Sequence, residues 1–114
     1  MKIKRFEDII AWQKARELNI NVFSIFAQHK NYGFRDQILR ASLSIMNNIA
    51  EGFERQTNKE FIQFLYISKG SAAEVRSMLY LAKDFNYISE NKFNELYDRV
   101  VEITKLISGF IKSL

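Results

Sequence analysis

Residues 57–85 read TNKEFIQFLYISKGSAAEVRSMLYLAKDF, and this long segment keeps one helical period throughout. Thr57 and Glu60 open it with the spacing of a capping box, in which the Thr57 hydroxyl accepts from the Glu60 amide and Glu60 reaches back to the Thr57 amide. Apolar and small residues then recur at steps of three and four, as one buried helix face requires. They are Phe61, Phe64, Leu65, Ser68, Ala72, Val75, Leu79 and Ala82. The pattern predicts a helix over residues 58–85.

Three more segments with the same period surround this helix. Apolar steps predict helices over residues 8–28, 34–53 and 90–112, with turn residues near Gly33 and an N-cap at Ser89. No stretch alternates polar and apolar residues for long enough to indicate a strand. Connections of about four to five residues favour antiparallel neighbours. The sequence therefore predicts one all-α domain over residues 1–114, an antiparallel up-down-up-down four-helix bundle.

The composition excludes several classes of function. The 114 residues include no cysteine, no proline and one histidine, His29, which excludes disulfides, thiol catalysis and the paired histidines of di-iron bundles. No nucleophile and base have a readable catalytic spacing, and the four glycines form no phosphate-binding loop. We expect a non-enzymatic protein with no catalytic residue, no cofactor and no metal site.

The chain also lacks the sequence features of membrane and secreted proteins. Glu7 and Asp8 interrupt the basic start, so it does not resemble a signal peptide, and no apolar run approaches the ~18 residues that span a bilayer. We expect a cytoplasmic protein without a membrane partner.

The charge is basic and unevenly distributed. Lys and Arg total 17 against 13 Asp and Glu, which gives +4, and six of the basic residues lie in residues 1–32 beside three acidic ones. Clustered cations of this kind contact nucleic-acid phosphates. The residues predicted to do so, here called the N-terminal cations, are Lys2, Lys4, Arg5, Lys14 and Arg16.

More apolar residues are present than one core face per helix uses. The surplus lies on the second, third and fourth helices: Leu39, Leu43, Met46, Ile62, Tyr66, Met78, Tyr80, Leu81, Tyr97, Val101, Leu106, Ile111 and Leu114. A helix that is apolar over much of its circumference is buried on more than one side, which predicts a homo-oligomer. The alternative is that these residues are scattered surface apolar groups, which are common.

Polar residues follow one sector of the second helix. This polar row comprises Gln37, Arg40, Ser44, Asn48, Glu51 and Arg55. One interpretation is structural, with hydrogen bonds across the bundle and i,i+4 pairs such as Asp36–Arg40. The other assigns Arg40 and Arg55 to a phosphate-contacting surface. Small residues of this helix, Gly52 included, allow close helix approach, and Gly70 on the third helix predicts a close crossing or, alternatively, a hinge.

Several motifs together resemble a known family. They are Phe6-Glu7-Asp8 with residues 11–15 (AWQKA), Gly33-Phe34 to Gln37 with residues 40–45 (RASLSI) and 48–52 (NIAEG), and Lys59-Glu60-Phe61 with Gly70-Ser71 and Glu74. They resemble the bacterial four-helix-bundle proteins encoded in intervening sequences of 23S rRNA genes, a family related to the accessory variability determinant of diversity-generating retroelements. The resemblance implies an up-down bundle assembled as a barrel-like homopentamer, no established catalytic activity and a suspected nucleic-acid partner.

Two functions remain open from the sequence. The first is association with RNA or DNA through the N-terminal cations, which a symmetric ring of chains would repeat. The second is a protein–protein scaffold or accessory subunit, for example of a reverse transcriptase, without direct nucleic-acid binding. Retention of RNA that salt abolishes distinguishes the first from the second.

Overall fold

A computed structural model describes residues 3–114, in which all regular secondary structure is helical. A short 3₁₀ turn at Phe6–Asp8 precedes four helices, α1 (Ile10–Phe26), α2 (Tyr32–Phe53), α3 (Asn58–Asp84) and α4 (Glu90–Ser113). The described residues contain no strand. The prediction of an all-α chain with four helices is confirmed.

Polar side chains cap the helices that begin at turns. The Thr57 hydroxyl accepts from the Glu60 amide at 3.2 Å and the Ser89 hydroxyl accepts from the Lys92 amide at 3.1 Å, which confirms both predicted N-caps. The second half of the predicted capping box differs, since Glu60 lies 3.2 Å from the Thr57 hydroxyl instead of bonding the Thr57 amide. The start of α2 also differs. Asn31 caps the Phe34 amide, so the helix begins at Tyr32 and not at residue 34.

The first helix is two residues shorter at each end than the approximate range of residues 8–28 that the sequence predicts. The chain forms a 3₁₀ turn at Phe6–Asp8 before α1 begins at Ile10. At the other end α1 stops at Phe26, not at residue 28, and the His29 amide donates to the Phe26 carbonyl at 2.9 Å, which closes a tight turn. Short 3₁₀ turns of this kind are common at helix ends.

Each helix packs against two others around one core. α2 contacts α1 and α3, and α4 contacts α3 and α1, whereas α1 and α3 make no close Cα approach and neither do α2 and α4 over the described residues. Hydrogen bonds between α2 and α3 join Gln37 to Glu74, Ser44 to Ser71 and the Ile45 carbonyl to Ser68. The residue numbers of these bonded pairs therefore increase along α2 while they decrease along α3.

The core contains the residues that the helical period selects. Every residue named above for the buried face of α3 is buried except Phe64, which is half-buried. Two serines, Ser42 and Ser68, are fully buried and both are hydrogen-bonded, to Asn19 and to the Ile45 carbonyl. No helix within residues 3–114 combines the length and the apolar character needed to cross a membrane.

The close helix crossing lies at Gly52 and not at Gly70. A Cβ on Gly52 would come within 2.5 Å of the Phe64 Cβ and 2.9 Å of the Phe61 ring, so only glycine lets α2 and α3 approach this closely. Gly70 is exposed and a Cβ there would meet nothing within 4 Å. The predicted crossing at Gly70 was wrong, because this residue lies on the outer side of α3.

Only part of the apolar surplus lies on the surface. Leu43, Tyr66, Tyr80 and Leu81 are exposed, whereas the other surplus residues are half-buried. The structure exposes further large apolar residues that the sequence analysis did not single out, namely Ile10, Ile20, Phe23, Tyr32, Ile67 and Phe85.

Candidate nucleic-acid interface

Two of the N-terminal cations line one groove. Arg5 and Arg16 border an open groove of about 590 Å³ at the start of α1, together with Trp12. The Phe6 and Trp12 rings meet edge to face with centroids 5.2 Å apart, and the Arg16 guanidinium carbon lies 5.9 Å from the Trp12 ring centroid. The helical step of four between Trp12 and Arg16 places both on the same side of α1.

The other N-terminal cations lie elsewhere. Lys14 turns towards α4, where its ammonium is 3.9 Å from Glu102. Lys4 is exposed on the segment before α1. Lys2 falls outside the described residues. The structure therefore brings Arg5 and Arg16 together and separates Lys14 from them.

Carboxylates accompany the cations of this groove. Arg5 lies 3.5 Å from Glu7 and 3.7 Å from Asp8, and Glu7 and Glu17 line the groove with the two arginines. Exposed pairs of this kind contribute at most about 1 kcal/mol and are screened by salt. The guanidinium groups can thus exchange a carboxylate for a phosphate, and Trp12 offers a ring on which a base can stack.

The polar row is mostly a set of contacts between α2 and α3. The side-chain amide of Asn48 donates to the backbone carbonyl and to the hydroxyl of Ser44, each at 2.8 Å. The Ser44 hydroxyl also bonds the Ser71 hydroxyl at 2.8 Å. Gln37 donates to Glu74. These contacts support the structural interpretation for the centre of the row.

The charged members of the polar row behave differently from one another. Arg55 lies 3.7 Å from Glu51 and its guanidinium carbon is 4.7 Å from the Phe64 ring centroid, which joins it to α3. The predicted Asp36–Arg40 pair is absent, because Asp36 bonds Arg35 at 2.8 Å. Arg40 instead lines a groove of about 460 Å³ between α1 and α2 with Asn19, Phe23, Leu39 and Leu43.

The structure also brings together a basic and aromatic cluster that the sequence analysis missed. Tyr80 on α3 packs on Phe93 and Tyr97 of α4, with ring centroids 5.1 and 5.9 Å apart. The Lys83 ammonium lies 4.4 Å from the Phe93 centroid. Side-chain hydrogen bonding with Tyr97 raises the pKa of Tyr80 above its ordinary value of 10.0, desolvation adds to the rise, and nearby Arg76 opposes it. The sequence does contain a signal for this cluster: Lys69, Arg76 and Lys83 are seven residues apart, which is about two helical turns and places them on one face of α3.

The described residues hold no cluster suited to a metal ion. No group of three His, Cys, Asp or Glu side chains with metal-binding geometry occurs within residues 3–114. His29 is engaged locally, where its Nδ1 accepts from the Asn31 amide at 3.1 Å and its ring lies 4.1 Å from that of Tyr87.

One known protein family matches nearly the whole chain. The family of the 23S rRNA-intervening sequence protein matches residues 7–109, which is nearly the whole helical domain. The chain belongs to this family. The match includes α1, α2 and α3 completely and α4 up to Gly109, so the predicted family resemblance is confirmed.

A solved structure supports the fold of this 23S rRNA-intervening sequence protein. The chain is 27% identical to a protein of unknown function from the S23 ribosomal protein family of Bacteroides thetaiotaomicron, with a TM-score of 0.85. The similarity covers 90% of this chain and 99% of that one. A comparison with curated proteins gives no match.

Proposed function

We propose that this member of the 23S rRNA-intervening sequence protein family is a non-enzymatic, cytoplasmic homo-oligomer that associates with RNA or DNA through basic surface residues. The observation that carries the proposal is the groove in which Arg5 and Arg16 flank Trp12. Two guanidinium groups beside a half-buried tryptophan ring suit a phosphate and an adjacent base. Such contacts depend on the backbone of the nucleic acid and carry little sequence preference.

The proposed architecture is an antiparallel up-down-up-down bundle. The hydrogen bonds between α2 and α3, whose residue numbers run in opposite senses, support it, and so do contacts in two other helix pairs. Between α1 and α2, Phe26 packs on Phe34 and Asn19 bonds Ser42, so the residue numbers fall along α1 as they rise along α2. Phe61 at the start of α3 packs on Phe110 at the end of α4, with centroids 5.4 Å apart. Contacts between the start of one helix and the end of the next are typical of antiparallel neighbours.

The groove between α1 and α2 supports self-association. Phe23 is 58% exposed and Leu43 is 45% exposed, and both line this groove. Burying such side chains against a second copy stabilises an assembly by about 25 cal/mol per Å² of apolar surface. A homopentamer is the state that the family resemblance implies, and five chains at +4 each would carry about +20.

The same groove favours a second candidate function. An exposed apolar groove with one arginine, Arg40, can also receive a helix of a different protein. On this alternative the chain is a scaffold or an accessory subunit, for example of a reverse transcriptase, and does not contact nucleic acid itself.

Nucleic-acid association is tested by charge reversal at Arg5 and Arg16, the two cations of the groove. Fluorescence anisotropy with a labelled RNA, measured over a range of salt concentrations, should show weaker binding by the Arg5→Glu, Arg16→Glu variant and a shallower salt slope, with helicity unchanged by circular dichroism. Lys30→Glu with Lys92→Glu is the matched control, because it makes the same change in charge at the opposite end of the bundle, in the connection after α1 and in the first turn of α4. Equal losses in both variants would place the contacts elsewhere, and no binding by the parent chain would favour the scaffold.

Self-association is tested by mass in solution. Sedimentation of the parent chain should give a multiple of 13.5 kDa, and Phe23→Asp with Leu43→Asp should lower it. Ile67→Asp with Leu81→Asp is the control, because these exposed residues lie on α3, away from the groove. A parent chain that sediments at 13.5 kDa at micromolar concentration would contradict the oligomer.

A further inference from the structure

One side of α3 presents cations in a straight row. We define the α3 strip as Tyr66, Lys69, Ala73, Arg76, Tyr80 and Lys83, which follow one another at steps of three and four and so share a helix face. Its three cations are seven residues apart, or about 10.5 Å at 1.5 Å rise per residue. The strip faces α4, because Tyr80 and Lys83 pack on Phe93 there.

The α3 strip lacks the carboxylates that accompany the other cations. Over residues 3–114 no ion pair involves Lys69, Arg76 or Lys83, in contrast to Arg5 and Lys14. Glu74, the acidic residue in the middle of α3, is turned to α2 by its hydrogen bond with Gln37. Asp84 lies beyond the strip, at the last residue of α3. The cations of the strip therefore need not exchange a protein partner before they bind an anion.

The neighbouring flank of α4 adds no negative charge along most of its length. Tyr97 contacts Tyr80, and the residues that follow it at steps of three and four are Val101, Thr104 and Ser108. The acidic residues Glu95 and Glu102 point away, since Glu95 pairs with Lys92 and Arg99 and Glu102 pairs with Lys14 of α1. Two acidic residues lie beside this flank: Glu90 at the first residue of α4, at the Lys83 end, and exposed Asp98, which lines a groove with Val101.

Two exposed aromatic rings belong to the strip. Tyr66 is 56% exposed and precedes Lys69, and Tyr80 is 46% exposed and lies between Arg76 and Lys83. Phe93 and Tyr97 brace the Tyr80 ring, and Lys83 lies over Phe93. A ring that is already held in place loses little rotamer freedom when a flat group stacks on it. Cations beside exposed aromatic faces are the arrangement by which proteins hold unpaired bases.

We propose that the α3 strip binds single-stranded nucleic acid, with phosphates on Lys69, Arg76 and Lys83 and bases stacked on Tyr66 and Tyr80. This site rests on the proposed nucleic-acid function and adds a second surface, on the side of the bundle formed by α3 and α4. The first and last cations are 14 residues apart, or about 21 Å at 1.5 Å rise per residue, so an extended single strand of a few nucleotides can follow the strip. A duplex keeps its bases stacked on each other, so it can use the cations and not the rings.

Binding of a labelled single-stranded oligouridine and of a labelled RNA duplex, each followed by anisotropy over a range of salt concentrations, tests the site. Lys69→Gln, Arg76→Gln, Lys83→Gln should weaken binding of the single strand and reduce the salt slope by about two, because a slope of about 0.7 belongs to each phosphate contact. Tyr80→Ala should weaken single-strand binding about 5- to 150-fold and leave duplex binding unchanged, while Tyr80→Phe keeps the ring and should restore it. Lys4→Gln, Arg5→Gln, Arg16→Gln removes the same charge from the N-terminal groove and the segment before it, and is the matched control.

The outcomes distinguish binding at the α3 strip from nucleic-acid association elsewhere on the protein. Single-strand binding that the α3 triple variant and Tyr80→Ala reduce, with rescue by Tyr80→Phe, supports the strip. Binding that only the control triple variant reduces overturns the strip and leaves nucleic-acid association standing at the N-terminal groove. A parent chain that binds neither probe overturns both. If Tyr80→Ala weakens binding of the single strand and of the duplex equally, the proposal that a base stacks on Tyr80 is overturned.

Discussion

Gly52 of α2 lies so close to Phe64 of α3 that a Cβ on the glycine would be 2.5 Å from the Phe64 Cβ. The same Cβ would also be 2.9 Å from the Phe61 ring. This contact fixes the distance between α2 and α3 at the end of the bundle where their connection lies. The hydrogen bonds from Ser44 to Ser71 and from Ser68 to Ile45 lie further along the same pair of helices.

Gly52→Ala should therefore destabilise the fold even though alanine is the better helix former. Overpacking costs about 1–3 kcal/mol, whereas the gain in helix propensity is about 1 kcal/mol. We expect the free energy of unfolding in urea to fall by up to about 2 kcal/mol. Gly70→Ala is the control, because nothing lies within 4 Å of its Cβ position, and it should raise the free energy of unfolding. A stabilised Gly52→Ala variant would contradict the close contact.

Ser68→Ala should destabilise the fold by removing a buried hydrogen bond. The Ser68 hydroxyl is fully buried and donates to the Ile45 carbonyl of α2 at 2.7 Å. The net contribution of such a bond is about 1 kcal/mol, and urea unfolding measures the loss. Ser113→Ala removes a bond of the same length from an exposed serine to its own helix and should change the free energy of unfolding by less. Equal effects of the two substitutions would show that the bond between helices adds nothing.

Local signals in the sequence predicted the helices and their core well. Caps such as Thr57 and Ser89 act within one turn, so the residues that form them are adjacent in the sequence. The helical period selects the buried face for the same reason. The glycines illustrate the limit of such reasoning, because Gly52 and Gly70 both interrupt helical patterns and only the packing of α3 shows which of them meets a neighbour.

The candidate site was less predictable, because it depends on which charges meet in three dimensions. Lys14 and Arg16 are two residues apart in the sequence, yet Lys14 meets Glu102 of α4 and Arg16 lies near Trp12. Neither partner follows from counting charges in a segment. The row of Lys69, Arg76 and Lys83 has a readable spacing, but its lack of carboxylate partners depends on where Glu74 turns.

Asn86→Ala should destabilise the turn between α3 and α4. Asn86 has φ of 61°, in the left-handed region that asparagine and glycine tolerate best. Its amide donates to the Lys83 carbonyl at 3.0 Å, which closes the end of α3. We expect Asn86→Ala to lower the free energy of unfolding by about 1 kcal/mol and Asn86→Gly to leave it unchanged or higher. An equal loss with glycine would mean that the asparagine side chain, and not the backbone conformation, stabilises this turn.

Tyr80 should ionise at higher pH than an ordinary tyrosine. Side-chain hydrogen bonding with Tyr97 raises the pKa of Tyr80 above 10.0, so the folded state favours the neutral phenol. A group whose pKa is raised on folding contributes stability below its unfolded pKa, and this contribution is lost as the pH rises through the folded value. Above pH 10 the parent chain should thus lose stability as Tyr80 ionises. The difference in phenolate absorbance between the parent chain and Tyr80→Phe isolates this titration. In the Tyr97→Phe variant the titration of Tyr80 should lie at lower pH. It is isolated there by subtracting the phenolate absorbance of the double variant Tyr80→Phe/Tyr97→Phe. An unchanged titration in Tyr97→Phe would show that the two phenols act independently.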